Sequence, residues 1–175
     1  MDILISSNLE RLLFDINGGN DSQVAFFMQM LNSSGKYSVD SEVMEKVNSI
    51  FWADFCDDKE TAEVIKTTWE RDSYLIDPHT AVAAGVKQKY VQQTGDTTKT
   101  IIVSTANPYK FCSSVLNALG ESFSGEGLEL IKQMEKVTHV TVPSSITDLA
   151  GLPERFTGAI EKGDMAGAVL QFAKT

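Results

Sequence analysis

The sequence predicts an α/β fold, a partial doubly wound and mainly parallel sheet with flanking helices, and three observations carry that prediction. Short runs of apolar, mostly β-branched residues recur along the chain and end in Ser, Thr, Asn or Asp. Each run is followed almost at once by a capped helix start. The stretches between carry apolar residues at helical spacing, and strands that alternate with helices pair in parallel through right-handed crossovers. No internal repeat, low-complexity tract or linker interrupts the pattern, so residues 1–175 read as a single α/β domain.

The first junction lies at the start. Ile3, Leu4 and Ile5 read as a strand, and Ser7 with Glu10 fits a capping box opening a helix through Phe14. Gly18 and Gly19 read as the stop of that helix. Val43, Met44, Val47 and Ile50 form a helical stripe after Asp40. Asp57 and Glu60 make a second capping-box pattern ahead of Ala62, Ile65 and Trp69. At the second junction Tyr74, Leu75 and Ile76 read as a strand, Asp77 as a cap and Pro78 as the first helical residue, with Val82, Val86 and Tyr90 as the apolar stripe.

The third junction is the most informative. The run Thr100, Ile101, Ile102, Val103 ends in Ser104 and Thr105, then in an Asn107 cap with Pro108 behind it. The helix that follows carries Phe111, Cys112, Val115, Leu116 and Leu119 on one face, and Gly120 is placed to end it. Beyond it, Gly125 and Gly127 mark a loop, 128–136 a helix, and 138–142 alternate like a final strand. Residues 143–153 are irregular, and Asp164 opens a short amphipathic helix with Val169 and Phe172.

Composition narrows the function. At 42% hydrophobic and 22% charged, the chain has the make-up of a folded domain. A net charge of −9 with no basic run excludes nucleic-acid binding, which needs clustered Lys and Arg. No apolar stretch approaches the ~20 residues of a membrane span, and the first residues lack the features of a secretion signal. Cys56 and Cys112 stand far apart and outside any paired spacing, as expected of reduced thiols in a cytoplasmic protein. The chain enters its first strand with no lead-in, as a piece of a larger protein would.

Few residues suggest chemistry. His79 and His139 have no Ser or Cys at a spacing that signals a triad, and capping or packing explains both. There is no HExxH and no Cys/His cluster, so no metal site is expected. Gly18-Gly19 lacks the remaining residues of a dinucleotide or phosphate loop. The carboxyl end of the third strand is different, because ligands in open α/β sheets sit at such ends. There Ser104 and Thr105 can meet a ligand or satisfy loop backbone, and both readings stay open. Lys110, in the first helical turn, can add its ammonium to the helix N-terminus around an anion, or simply face solvent.

Three blocks together resemble the C-terminal half of threonine synthase: residues 1–14 (MDILISSNLERLLF), 77–82 (DPHTAV) and 104–111 (STANPYKF). They occur in the family's order, and the resemblance runs to about residue 120 with a compatible tail. It implies a pyridoxal-phosphate enzyme of the tryptophan-synthase fold type (fold type II). Such an enzyme converts O-phospho-L-homoserine and water to L-threonine and phosphate, the cofactor acting as electron sink. It implies that a hydroxyl near the end of the catalytic domain meets the pyridine nitrogen, with Thr105 the first candidate and Ser104 the second. A neutral partner there would leave the nitrogen largely unprotonated. Asn107 departs from the family, which often has His at that place, and it is assigned only a cap. Lys110 falls within the motif, between substrate phosphate and solvent, while His79 and Thr80 match at the neighbouring junction in a supporting position.

The family's Schiff-base lysine and phosphate loop lie in earlier sequence, and none of the twelve lysines here sits in a matching context. No catalytic residue is therefore assigned within this chain. The expectation is a C-terminal part of threonine synthase, inactive alone and completed by the N-terminal part of the same enzyme. A truncated half-sheet would also expose apolar surface and self-associate. The alternatives are a stand-alone α/β anion- or partner-binding module and another lyase or replacement enzyme of the same fold type.

Overall fold

A computed structural model of the chain describes residues 5–153 and 158–174. Its first five helices begin where short polar side chains take up free N–H groups of the first turn. Ser6 Oγ accepts from the Leu9 N–H at 3.3 Å and opens α1 (Ser7–Ile16), one residue before the predicted cap. Asn20 opens α2 (Asp21–Ser34), a helix not marked in the sequence, and Asp40 opens α3 (Ser41–Ile50) with a 2.8 Å bond from the Val43 N–H. Asp57 and Glu60 form the predicted reciprocal box at the start of α4 (Asp58–Asp72). Asp77 caps α5 (Pro78–Thr94) with Pro78 at its first position. Asn107 caps a 3-10 turn at Pro108–Phe111, which runs into α6 (Cys112–Ala118). Then follow α7 (Leu128–Thr138), α8 (Ser144–Thr147) and α9 (Met165–Phe172). None of the described helices is long and apolar enough to cross a membrane.

No strand is present among the described residues. A ladder needs a neighbouring strand, and residues 74–76 and 98–106 make no backbone–backbone hydrogen bond among the described residues. Of the predicted first strand, Ile3 and Leu4 lie outside the described residues. The predicted strand over 138–142 is replaced for a clear reason: its polar groups are taken by other partners. Thr138 still belongs to α7, and His139 ends that helix in the left-handed region at φ 55°. The Tyr109 hydroxyl donates to the Val140 carbonyl, and the Val142 N–H donates to Glu135 Oε1 at 3.3 Å.

The main core joins α4, α5, α6 and α7. Ile65, Ala81, Val115, Leu116 and Met134 are all but completely buried, and Leu75 and Ile76 pack with them. On α5 the buried face is Ala81 and Gly85, while the predicted stripe of Val82, Val86 and Tyr90 is only half-buried. The cause is close approach: a Cβ on Gly85 would lie 2.7 Å from Cys56 Sγ and 3.3 Å from Val64 Cγ2. A second cluster, Leu13, Val24, Phe27 and Val43, ties α1, α2 and α3 together, with Tyr37 stacked on Phe27 at 5.3 Å. On α9 the apolar side chains of Met165, Val169 and Leu170 are exposed, so the helix forms as predicted but its stripe is not in the core.

After α5 the chain turns at Gly95 and Asp96. The Asp96 carboxylate accepts from the Thr98 N–H at 2.9 Å and from the Tyr90 hydroxyl at 2.8 Å. Bonds from the Thr98 side chain, the Thr98 backbone and Tyr90 hold its carboxyl down from 3.8 to about 2. A depressed carboxyl contributes stability above its unfolded value and loses it as pH falls through the folded one. Carboxyl NMR should therefore show Asp96 titrating near 2, with the turn loosening only below the ordinary carboxylate range. Tyr90→Phe should raise that midpoint part of the way, because the Thr98 bonds remain. In the core, Leu116→Ala should cost about 2–5 kcal/mol in denaturant unfolding, since the emptied site cannot fully collapse.

Candidate functional site

The candidate site forms where residues 73–77 enter α5 and where the 98–106 segment ends beside that entry. Asp77 is completely buried. Its Oδ1 accepts from the His79 N–H at 2.9 Å and from the Thr80 N–H at 3.4 Å, as a helix cap does. Its Oδ2 accepts a short hydrogen bond from the Thr80 hydroxyl. Thr80 Oγ1 in turn lies 2.9 Å from Ser104 Oγ. A buried carboxylate, a buried hydroxyl and a hydroxyl at the end of the 98–106 segment thus form one continuous chain of bonds. Beside it opens a cavity of about 370 Å³, lined among others by Tyr74, Ile76, Thr80, Thr100, Ile102 and Ser104.

The remaining predicted residues divide around this chain. Thr105 follows Ser104, is exposed, and makes no hydrogen bond among the described residues. Asn107 accepts from the Tyr109 N–H at 3.0 Å, which is the capping role assigned to it. His79 is exposed and sets its ring edge-on to Phe111 at 5.3 Å, joining the start of α5 to the 3-10 turn. Lys110 is exposed, and its ammonium has no ion pair among the described residues. It sits in a four-residue 3-10 turn and not in the first turn of a long helix, so the expected addition of a helix dipole to its charge is absent. Thr80 and Ser104 are thus in contact, Thr105 adjoins them, and Lys110 stands apart from the bond chain.

The role of Asp77 beyond capping was not foreseen from the sequence. The available signal is the Asp-x-x-Thr spacing, which brings a hydroxyl in the first turn back onto the capping carboxylate.

Other chemistry-bearing groups are accounted for structurally. Cys56 and Cys112 are free thiols, and burial raises both above their ordinary values, which keeps them poor nucleophiles. The larger cavity of about 570 Å³ beside Cys56 holds the Lys89 ammonium, but that group is already engaged. It lies 2.9 Å from Glu60 Oε1 and donates to the Phe55 carbonyl at 2.6 Å. No group of three or more His, Cys, Asp or Glu among the described residues is placed to hold a metal ion.

Comparison with known proteins points in one direction. A family profile described as threonine synthase, C-terminal, matches residues 80–167. Threonine synthase of Saccharomyces cerevisiae is 34% identical over 154 residues, which is 79% of this chain and 30% of that protein. Threonine synthase of Pseudomonas aeruginosa is 35% identical over 118 residues, 67% of this chain and 25% of that protein. The chain therefore spans less than a third of the length of either relative. Among solved structures, yeast threonine synthase aligns with all of the chain at a TM-score of 0.73 and 30% identity, over 36% of its own length. The PLP-bound threonine synthase of Brucella melitensis aligns with 79% of the chain at a TM-score of 0.58 and 33% identity, over 33% of its own length.

Asp77→Ala removes three accepted bonds at once and leaves the Thr80 hydroxyl with Ser104 as its partner. Loss of the cap should cost about 1–2 kcal/mol in denaturant unfolding. The conservative Asp77→Asn, which keeps an acceptor, should cost less.

Proposed function

Because the chain belongs to the threonine synthase family, we propose that it serves as the C-terminal part of an enzyme converting O-phospho-L-homoserine and water to L-threonine and phosphate. The observation that carries this reading is the pair of adjacent hydroxyls at Ser104 and Thr105, fixed to the entry of α5, in a chain matched to threonine synthases.

The donor set suits pyridoxal phosphate. A pyridine nitrogen is a single neutral acceptor, and Thr105 offers a neutral hydroxyl with no other bond among the described residues. The nearby carboxylate of Asp77 is fully buried and already engaged by three donors, so it does not compete for that nitrogen. When bound, the cofactor supplies the electron sink for the replacement reaction. Thr105 then orients the ring through its nitrogen, Ser104 sets the position of Thr105, and His79 and Thr80 support from the start of α5. Lys110, whose ammonium has no ion pair among the described residues, meets an anionic group of the substrate in this reading.

The N-terminal part of the same enzyme supplies what the resemblance places in earlier sequence, the lysine that carries the cofactor and the loop that holds its phosphate. We further propose that residues 74–76 and 100–104 become strands of a parallel sheet against that part, making the whole of 1–175 one portion of a catalytic domain. Support comes from Ile101 and Val103, which are 87% and 71% exposed in an apolar run without backbone partners among the described residues. The same surface would favour self-association of the chain by itself. Two free thiols agree with a cytoplasmic setting. A stand-alone binding module is the weaker reading, because the yeast and Pseudomonas relatives, which match two thirds or more of this chain, are threonine synthases.

Three measurements test the proposal. The full-length enzyme with pyridoxal phosphate should release phosphate and threonine from O-phosphohomoserine, and the chain by itself should release neither. Robust turnover by the chain alone would overturn its dependence on the N-terminal part. In the full-length enzyme, Thr105→Ala should lower kcat by roughly tenfold, as expected for one hydrogen bond to a reacting group. It should also shift the absorption of the bound cofactor and leave the circular dichroism unchanged.

A further inference from the structure

We infer that Asp77 and Thr80 are positioning residues that turn the Ser104 hydroxyl inward as a donor, so that of the two adjacent hydroxyls it is Thr105 that can donate outward. The inference deepens the reading of the site given above and rests on it.

It follows from counting protons. Thr80 Oγ1 lies within hydrogen-bond reach of two oxygens, Asp77 Oδ2 and, at 2.9 Å, Ser104 Oγ. A hydroxyl has one proton to give, and a carboxylate can only accept. The bond to the carboxylate is the charge-assisted one and takes the Thr80 proton. What Thr80 then shows to Ser104 is a lone pair, so the bond between the two hydroxyls must run from Ser104 to Thr80. The Ser104 proton is spent on the protein, and only its lone pairs remain for a ligand. Thr105, one residue on, has no such commitment among the described residues.

Two neighbouring hydroxyls that look interchangeable in sequence thus have opposite polarity. An acceptor such as a ring nitrogen can be met by Thr105 and not by Ser104. The direction follows because Asp77 is completely buried and Thr80 nearly so, where the charge-assisted bond that takes the Thr80 proton is strongest.

The test uses the full-length enzyme and variants that keep shape. Thr80→Val removes the hydroxyl, and Thr80→Ser retains it. Amide hydrogen exchange of the 98–106 peptide, measured without cofactor, should quicken in Thr80→Val and return to the wild-type rate in Thr80→Ser. With cofactor, Thr80→Val should shift the bound cofactor's absorption and lower kcat about three- to tenfold with KM little changed, the worth of one net hydrogen bond. Wild-type exchange and absorption in a folded Thr80→Val would overturn the inference, as would a Thr80→Ser that behaves like Thr80→Val.

Asp77→Asn gives an independent arm. Its amide can donate to Thr80, which reverses the chain and frees the Ser104 proton to point outward. Thr105→Ala should then cost less in the Asp77→Asn background than in wild type. An equal loss in both backgrounds would overturn the assigned polarity. If the wild-type enzyme formed no threonine, the proposed function would fall, while the exchange measurement would still decide whether Thr80 holds the segment.

Discussion

The buried carboxylate of Asp77 is the group on which the arrangement of the site depends. It closes the N-terminus of α5, takes the Thr80 hydroxyl, and through Thr80 reaches the segment that arrives after a further helix and turn. A charge removed so completely from water is tolerable only when every lone pair that faces protein is used. Two backbone N–H groups and one hydroxyl meet that demand. The same bonds that satisfy the charge therefore fix where residues 98–106 end.

Around that point the chain is built by helix packing. Small residues on α5 let α4 come close, and α6 and α7 complete a core of branched and sulfur-containing side chains. The runs that resemble strands stay apart from this logic. Leu75 and Ile76 place their side chains in the core while their backbone has no ladder, and Ile101 and Val103 remain outside altogether. Helices satisfy their backbone within themselves, whereas a strand depends on a neighbour.

That difference also decides what could be read from the sequence. Caps are local, so Asp57, Asp77 and Asn107 stand where their spacing put them, and a stop at Gly18–Gly19 is present as well. Apolar composition names no pairing partner, so 74–76 and 100–103 were legible as apolar segments and not as a sheet, and of them only Leu75 and Ile76 pack in the core. At 138–142 the alternation was misleading, because Tyr109 and Glu135, distant in sequence or placed on the preceding helix, took the backbone groups a strand would have used. At the site, the hydroxyl types and their positions were legible, and the family blocks pointed to them. The bond from Thr80 to Ser104 was not, because it spans 24 residues and no local rule carries that far.

The Tyr109 hydroxyl bond to the Val140 carbonyl has a consequence for how this region can vary. It closes a loop of 31 residues from a side chain that is itself buried in the core. The glycine-bearing stretch after α6 lies inside that loop, exposed, with Ser124 tied to the Gln133 side chain. Lengthening such a stretch costs only about 0.6 kcal/mol per doubling of loop length, because closure entropy grows slowly. The clasp at Tyr109 then keeps the change from reaching the turn at Pro108–Phe111. Insertions and deletions are thus absorbed on the far side of the clasp, and this part of the chain can change in length while the turn at Pro108–Phe111 keeps its shape.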